Sequence, residues 1–347
     1  MKAETIVLNK ERNVTLKSYL LEVNGEFKNI HKRPAVLVLP GGGYHMCSER
    51  EAEPVALAYL NAGFHTFILN YSVGSHAKWP NPLSDYEQAM SMIRDHAEEW
   101  NLYPDKIAVI GFSAGGHLAA SAATVAVNKP NAAILGYAVT EEKTAKMCLK
   151  SAPDVVSQVN GKTCPCFVFA ARNDNVVPIC NTTKFVDALA ENGVIFENHI
   201  YGYGPHGFST ADASTMIPGT NICSRASRWV ADSIAWLGDI WGEFGDGEMT
   251  PPRCIPETKG DHAPYLSIEC TVGHLMKNAA AQVVLGPVMN EIQKNLVKEY
   301  GNENMTGQGE TEGSLLENIS LKTLLSAAKI PEEQIEYLDQ ELRKIPV

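Results

Sequence analysis

Ala108-Val109-Ile110-Gly111-Phe112-Ser113-Ala114-Gly115-Gly116-His117-Leu118 joins an apolar run to a glycine-flanked serine and an alanine-rich segment. The apolar run Ile107 to Ile110 predicts a buried strand, which stops at Gly-x-Ser-x-Gly and gives way to an alanine-rich segment of helical composition. A strand, a sharp turn and a helix follow. Such a turn holds Ser113 in a strained backbone conformation, with its hydroxyl at the C-terminal edge of a sheet and at the positive end of the next helix. Gly111 and Gly115 remove the Cβ atoms that would collide there. The pentapeptide alone equally fits a glycine-rich surface turn, so its neighbours have to decide.

Working outward, further buried strands are predicted at 34–40, 66–71, 132–137, 166–170 and 195–201. Helices fall between them at 54–61, 83–100, 113–127 and 181–192, and a helix at 224–241 closes the series. Ser84 or Asp85 is available to cap the second of these, and Gly63 to end the first. Residues 5–23 alternate in polarity and read as two antiparallel strands at a sheet edge. The alternation of strand and helix predicts an α/β fold with a mostly parallel, doubly covered sheet over residues 1–245. Residues 140–162 form a polar insertion suited to a pocket wall or lid.

Past Trp241 the pattern changes. A stretch rich in Gly, Pro and charge predicts a linker at 246–265. Residues 266–347 lack the alternation and read as a small helical module, with helices at 272–278, 287–300 (Pro287 in its first turn), 321–329 (capped by Ser320) and 331–344. Ile335, Leu338, Leu342 and Ile345 make one apolar stripe on the last helix. Residues 302–313 read as an acidic connection.

The chain has 347 residues, 45% of them apolar and 20% charged, enough for a full core. Its 29 Lys+Arg against 40 Asp+Glu leave a formal charge of −11, which argues against nucleic acid and anionic membrane as partners. There is no apolar signal-peptide core after Met1 and no uninterrupted apolar run of about 18 residues, so a cytoplasmic protein is expected. The eight scattered cysteines fit free thiols. Cys164 and Cys166 lack a second pair and read as buried thiols rather than a metal site.

Three chemistry-bearing side chains each lie just past a predicted strand: Ser113, Asp174 and His206, in that order. The C-terminal ends of strands are where open α/β sheets bind ligands. Glycines on both sides of His206 suit a tight loop that aims an imidazole, whereas His199 sits on an alternating strand and reads as structural. Upstream, Gly41-Gly42-Gly43-Tyr44 suits a backbone N–H cradle for a developing oxyanion. His45, Arg50 and Glu51 follow on the same loop and read as rim or structural residues. Tyr44, His45 and Trp79 are expected at the pocket rim.

As a set, Pro40-Gly-Gly-Gly-Tyr44, Gly111-Phe-Ser-Ala-Gly-Gly-His117, Asp174-Asn-Val-Val-Pro178 and Gly204-Pro-His-Gly207 resemble the α/β-hydrolase esterases of the hormone-sensitive-lipase and acetyl-xylan-esterase-like groups. The resemblance covers roughly residues 1–240. It implies Ser113 as nucleophile, His206 as general base, Asp174 as the orienting acid, and Gly42, Gly43 and Ala114 as oxyanion donors. It also implies a serine esterase without metal or organic cofactor, acting on a small-molecule or oligosaccharide ester. The usual histidine before the glycines is Pro40 here, which preserves the N–H donors but changes the loop's support. An amidase or peptidase could use the same three groups, and a binding protein could keep the fold without activity. The C-terminal segment is similar to small helical modules appended to bacterial carbohydrate-active enzymes. Homo-oligomerisation or pocket covering is preferred for it over carbohydrate tethering, because it has apolar stripes and no aromatic platform.

Overall fold

The apolar runs become the strands of one eight-stranded sheet. In a computed structural model, residues 1–254, 260–263, 265–300 and 317–346 are described, and the contacts divide the chain into two units, Met1–Pro256 and Glu257–Val347. The strands of the first unit are β1 (Lys2–Asn9), β2 (Val14–Leu20), β3 (Arg33–Leu39), β4 (His65–Asn70), β5 (Leu102–Phe112), β6 (Ala132–Gly136), β7 (Cys166–Ala171) and β8 (Phe196–Tyr201). Their spatial order is β1-β2-β4-β3-β5-β6-β7-β8. β2 runs antiparallel to β1 and β4, while all pairs from β4 through β8 are parallel. The α/β class and the antiparallel edge are as the pattern predicts.

Alternation along the strands divides the core into two layers. Leu37, Leu39 and Val109 face a layer with α2 (Asn81–Asp95), α3 (Ser113–Thr124) and α5 (Cys180–Glu191). Val36, Val38 and Ile110 face the other, with α1 (Glu53–Asn61) and α6 (Arg228–Trp241). Because side chains of a strand point alternately to opposite faces, an unbroken apolar run such as β3 feeds both layers at once. All seven residues of β3 are buried.

The second helix departs from expectation. It starts at Asn81 and ends at Asp95, and neither Ser84 nor Asp85 caps it. Pro82 occupies the first turn, where a missing N–H is harmless. Asp85 is instead fully buried, accepting from Ser72 N at 2.8 Å and pairing with Arg12. The insertion at 140–162 holds α4 (Glu142–Cys148), whose start is fixed by Asn181 Oδ1 accepting from Thr140 N and Glu141 N.

Part of the expected linker folds onto the first unit. Gly247 N donates to Asn29 O and Cys254 N to Asp239 O, so backbone pairing, not composition, carries this unit to residue 256. In the second unit, α7 (Val272–Leu275) is capped by Thr271, and α8 (Ala279–Tyr300) begins two turns before the expected Pro287. Asn278 Oδ1 accepts from Ala280 N and Ala281 N, which starts that helix early and leaves Pro287 in its interior. α9 (Leu321–Ala327) is capped by Ser320, and α10 (Glu332–Arg343) buries Ile335, Leu338 and Leu342. The expected connection at 302–313 lies outside the described residues. Among the described residues, no helix is long and apolar enough to cross a membrane.

At the junction of β5 and α3 backbone packs directly on backbone. A Cβ on Gly115 would lie 2.2 Å from Leu39 O and 2.4 Å from Pro40 O, and one on Gly111 would lie 2.2 Å from Gly115 O. Backbone on both sides leaves nothing to yield. Gly115→Ala should therefore cost at least about 2 kcal/mol of stability by overpacking. Urea denaturation measures it, and an unchanged midpoint would contradict this account of the junction.

Candidate active site

Ser113 opens α3 directly at the end of β5, and its φ of +52° places a non-glycine residue in the left-handed region. Such strain persists only where the surroundings enforce it. Here Ser113 O accepts from Val139 N at 3.0 Å, and the helix is held by the glycine contacts described above. The residue is 9% exposed. Its hydroxyl is therefore aimed rather than free.

His206 Nε2 lies 2.9 Å from Ser113 Oγ, and His206 Nδ1 lies 2.7 Å from Asp174 Oδ2. Three residues from three loops, each beyond the C-terminal end of a parallel strand, are thus joined in series. Asp174 is held in turn: its Oδ1 accepts from Val176 N and Val177 N, both at 2.9 Å, in a local turn that only a short acceptor side chain can close. Gly204 N donates to Asn173 Oδ1, tying the histidine loop to the aspartate loop. The imidazole packs edge-on against Tyr137, with ring centroids 5.1 Å apart.

These groups open on a cavity of about 580 Å³. Gly42 and Gly43 line it beside Ser113 and His206, at φ of +129° and +62°. Their N–H groups donate to no other protein group among the described residues, whereas Gly41 N is engaged by Glu51 Oε2 at 2.8 Å. The N–H of Ala114 lies in the first turn of α3, where a helix leaves its donors unpaired. The expected donor set of Gly42, Gly43 and Ala114 is therefore compatible with the geometry.

The expected rim residues lie elsewhere. Tyr44 is 2% exposed, turned inward by its φ of +61°, and its hydroxyl meets His117 Nδ1 at 2.7 Å. Trp79 packs edge-on against the same imidazole at 5.5 Å, and His45 is exposed beside Gly43. None of the three lines the cavity. Its walls come instead from Met46, Ser48, Arg50 and Glu51 on the glycine loop, Thr144, Met147 and Cys148 of α4, Val176 and Val177, and Gly207. The insertion at 140–162 thus supplies one wall. Met46, Met147 and Val176 are more than half exposed, giving the mouth an apolar edge.

Two residues outside the expected catalytic set stand out. Glu51 is buried, its carboxylate accepting from Gly41 N and from Tyr137 Oη at 2.6 Å. Burial raises its pKa, opposed by those two hydrogen bonds. His117, in the serine motif, is fully buried between Tyr44 Oη and Pro153 O, the latter at 2.9 Å from Nε2. The carbonyl requires Nε2 to carry the proton, so Nδ1 accepts from Tyr44. Burial pulls this imidazole down to about 4. Motif spacing could not reveal either role, since both partners are distant in sequence. His199 stacks on Phe167 and pairs with Glu197, as expected of a structural residue.

A strained serine on a strand–helix turn, bonded to an imidazole that a carboxylate holds, on a mostly parallel sheet, defines the α/β-hydrolase class. The BD-FAE family model matches residues 22–133. The solved structure of MGS-M1, an α/β hydrolase enzyme from a Medee basin deep-sea metagenome library, is 40% identical with a TM-score of 0.63, covering 69% of this chain and 97% of that one. The chain belongs to the α/β-hydrolase family, alongside esterases. It is 31% identical over 196 residues to an acetylxylan esterase of Xylanibacter ruminicola, covering 50% of this chain and 41% of that protein. It is 32% identical over 211 residues to endo-1,4-beta-xylanase B of Butyrivibrio fibrisolvens, covering 52% of this chain and 33% of that protein. The chain thus spans less than half the length of these two relatives.

The buried His117 makes stability depend on pH. Above its ordinary value of 6.5 both folded and unfolded states hold it neutral; as pH falls towards 4 the unfolded chain binds the proton first. Stability should therefore decline across that window, by about 3 kcal/mol from this group. Urea unfolding at a series of pH values should give a shallower decline in His117→Gln, and equal slopes would mean that His117 is not buried neutral.

Proposed function

We propose that residues 1–256 hydrolyse carboxylic esters through an acyl-serine intermediate, and that the substrate is an acetylated sugar or oligosaccharide. The observation that carries this reading is the chain of contacts from Ser113 Oγ through His206 to Asp174, opening on a cavity flanked by the free N–H groups of Gly42 and Gly43. In the first step His206 takes the Ser113 proton as Oγ attacks the ester carbonyl, and the bond to the alcohol breaks as His206 returns that proton to the leaving oxygen. Water then repeats the sequence on the acyl-serine. Asp174 stabilises the imidazolium in both halves. Gly42, Gly43 and Ala114 face the charge that develops on the carbonyl oxygen, and each such donor is worth roughly 3 kcal/mol in the transition state.

The sugar-acetyl part of the proposal is supported by the acetylxylan esterase among the relatives. It is also compatible with the cavity of about 580 Å³, a size that takes small-molecule ligands. An ester panel separates these parts. Turnover of p-nitrophenyl acetate should fall by at least about 10⁴-fold in Ser113→Ala. Acetylated xylo- or manno-oligosaccharides should be turned over faster than octanoyl esters or acyl-amides. Unchanged turnover in Ser113→Ala would sink the acyl-serine mechanism, and preference for an amide over the matching ester would make the protein an amidase.

A further inference from the structure

Glu51 has an unusual position for a buried acid. Among the described residues it has no ion-pair partner, although Arg50 is its neighbour in sequence; Arg50 Nη1 donates to Thr215 O instead. Its two carboxylate oxygens are divided between two loops. Oε2 accepts from Gly41 N, immediately before the paired glycines of the cavity, and Oε1 accepts from Tyr137 Oη. Tyr137 Oη in turn accepts from Ser209 N, three residues past His206, and the Tyr137 ring supports the imidazole edge-on. The same short segment is tied to the histidine loop once more, by Ser209 Oγ donating to Arg50 O.

We infer that Glu51 is the positioning residue of this site, a carboxylate that registers the glycine loop and the histidine loop against each other. The inference rests on the esterase reading above and adds to it a group that touches neither substrate nor reacting atoms. The chemistry of the two contacts explains why an acid stands here. Both partners are donors, Gly41 through N–H and Tyr137 through O–H, because the second lone pair of the Tyr137 oxygen already receives Ser209 N–H. A carboxylate accepts from both. A glutamine in the same place presents one acceptor and one donor, so one loop loses its anchor whichever way the amide is turned. The buried negative charge also favours the imidazolium that forms on His206 during turnover, an effect consistent with the mutual influence of the two groups.

Two consequences separate positioning from a merely structural role. First, oxyanion contacts are made in the transition state and not in the bound ester, so kcat should fall while KM stays. Second, removing the charge should withdraw its support from the imidazolium that forms on His206, which a pH profile of kcat/KM reads. Asp174, Ser113 and Tyr137 touch that imidazole and Glu51 acts on it through its charge, and only Glu51 changes charge in the variant.

The test is Glu51→Gln with p-nitrophenyl acetate, beside Ser113→Ala and Tyr137→Phe, each checked for folding by circular dichroism. In folded Glu51→Gln, kcat should drop by about 30-fold or more with KM within about threefold, a partial loss of the roughly 10²–10³ attached to one oxyanion donor. The acidic limb of its kcat/KM profile should move down. Tyr137→Phe keeps the charge and the Gly41 anchor, so it should lose about tenfold or less in kcat without that downward shift. Folded Glu51→Gln with the parental kcat and limb would overturn the inference. If Glu51→Gln does not fold, Tyr137→Phe decides: a kcat loss at constant KM upholds it, and a parental kcat overturns it. Activity surviving in Ser113→Ala would instead strike the esterase reading, which keeps the two failures apart.

Discussion

The contact on which everything else depends is the approach of α3 to the strand ends at its N-terminus, where two glycines let backbone meet backbone. Gly115 sits so close to the carbonyls of Leu39 and Pro40 that no side chain fits, and Gly111 faces the Gly115 carbonyl in the same way. That closeness forces the chain to turn within a single residue, and the residue is Ser113, at positive φ. A serine further along the helix would point into the apolar layer. The same approach brings the loop after β3, with its glycines, alongside the serine.

Parallel strands then do the rest of the gathering. Because β3, β5, β6, β7 and β8 run the same way, the loops that follow them emerge at one edge of the sheet. The serine, Tyr137, the aspartate and the histidine arrive there from positions up to 93 residues apart in sequence. Each is then fixed in place: Asp174 by its own turn, His206 by Asp174 and Tyr137, and the glycine loop by its own Glu51, which reaches Tyr137. Preorganised donors and a preset imidazole need little rearrangement during reaction, which is the main source of rate in acyl transfer by such groups.

Behind this edge lies a second, fully buried set of polar residues. His117 joins Tyr44 of the glycine loop to Pro153 of the insertion, while Tyr71 Oη donates to Pro40 O. These contacts support the loop that carries Pro40 and the paired glycines. Tyr44, expected at the rim on the strength of its place after the glycines, is one of those supports.

The order of strands and helices, the serine turn and the three side chains that follow strands are legible in the residues alone, since these depend on period, apolar runs and glycine spacing within a few residues. The helix ends were less legible: Asp85 reads as a cap yet is buried against Ser72 and Arg12, and Asn278 starts a helix that Pro287 seemed to open. Only the tertiary structure decided which residues wall the cavity, that Tyr44 and Trp79 turn away from it, and that Glu51 spans two loops. The physical reason is the range of the interactions. Period and turn chemistry act along the chain, whereas the burial of a polar group and the partner that satisfies it are settled by segments that meet after the sheet has formed.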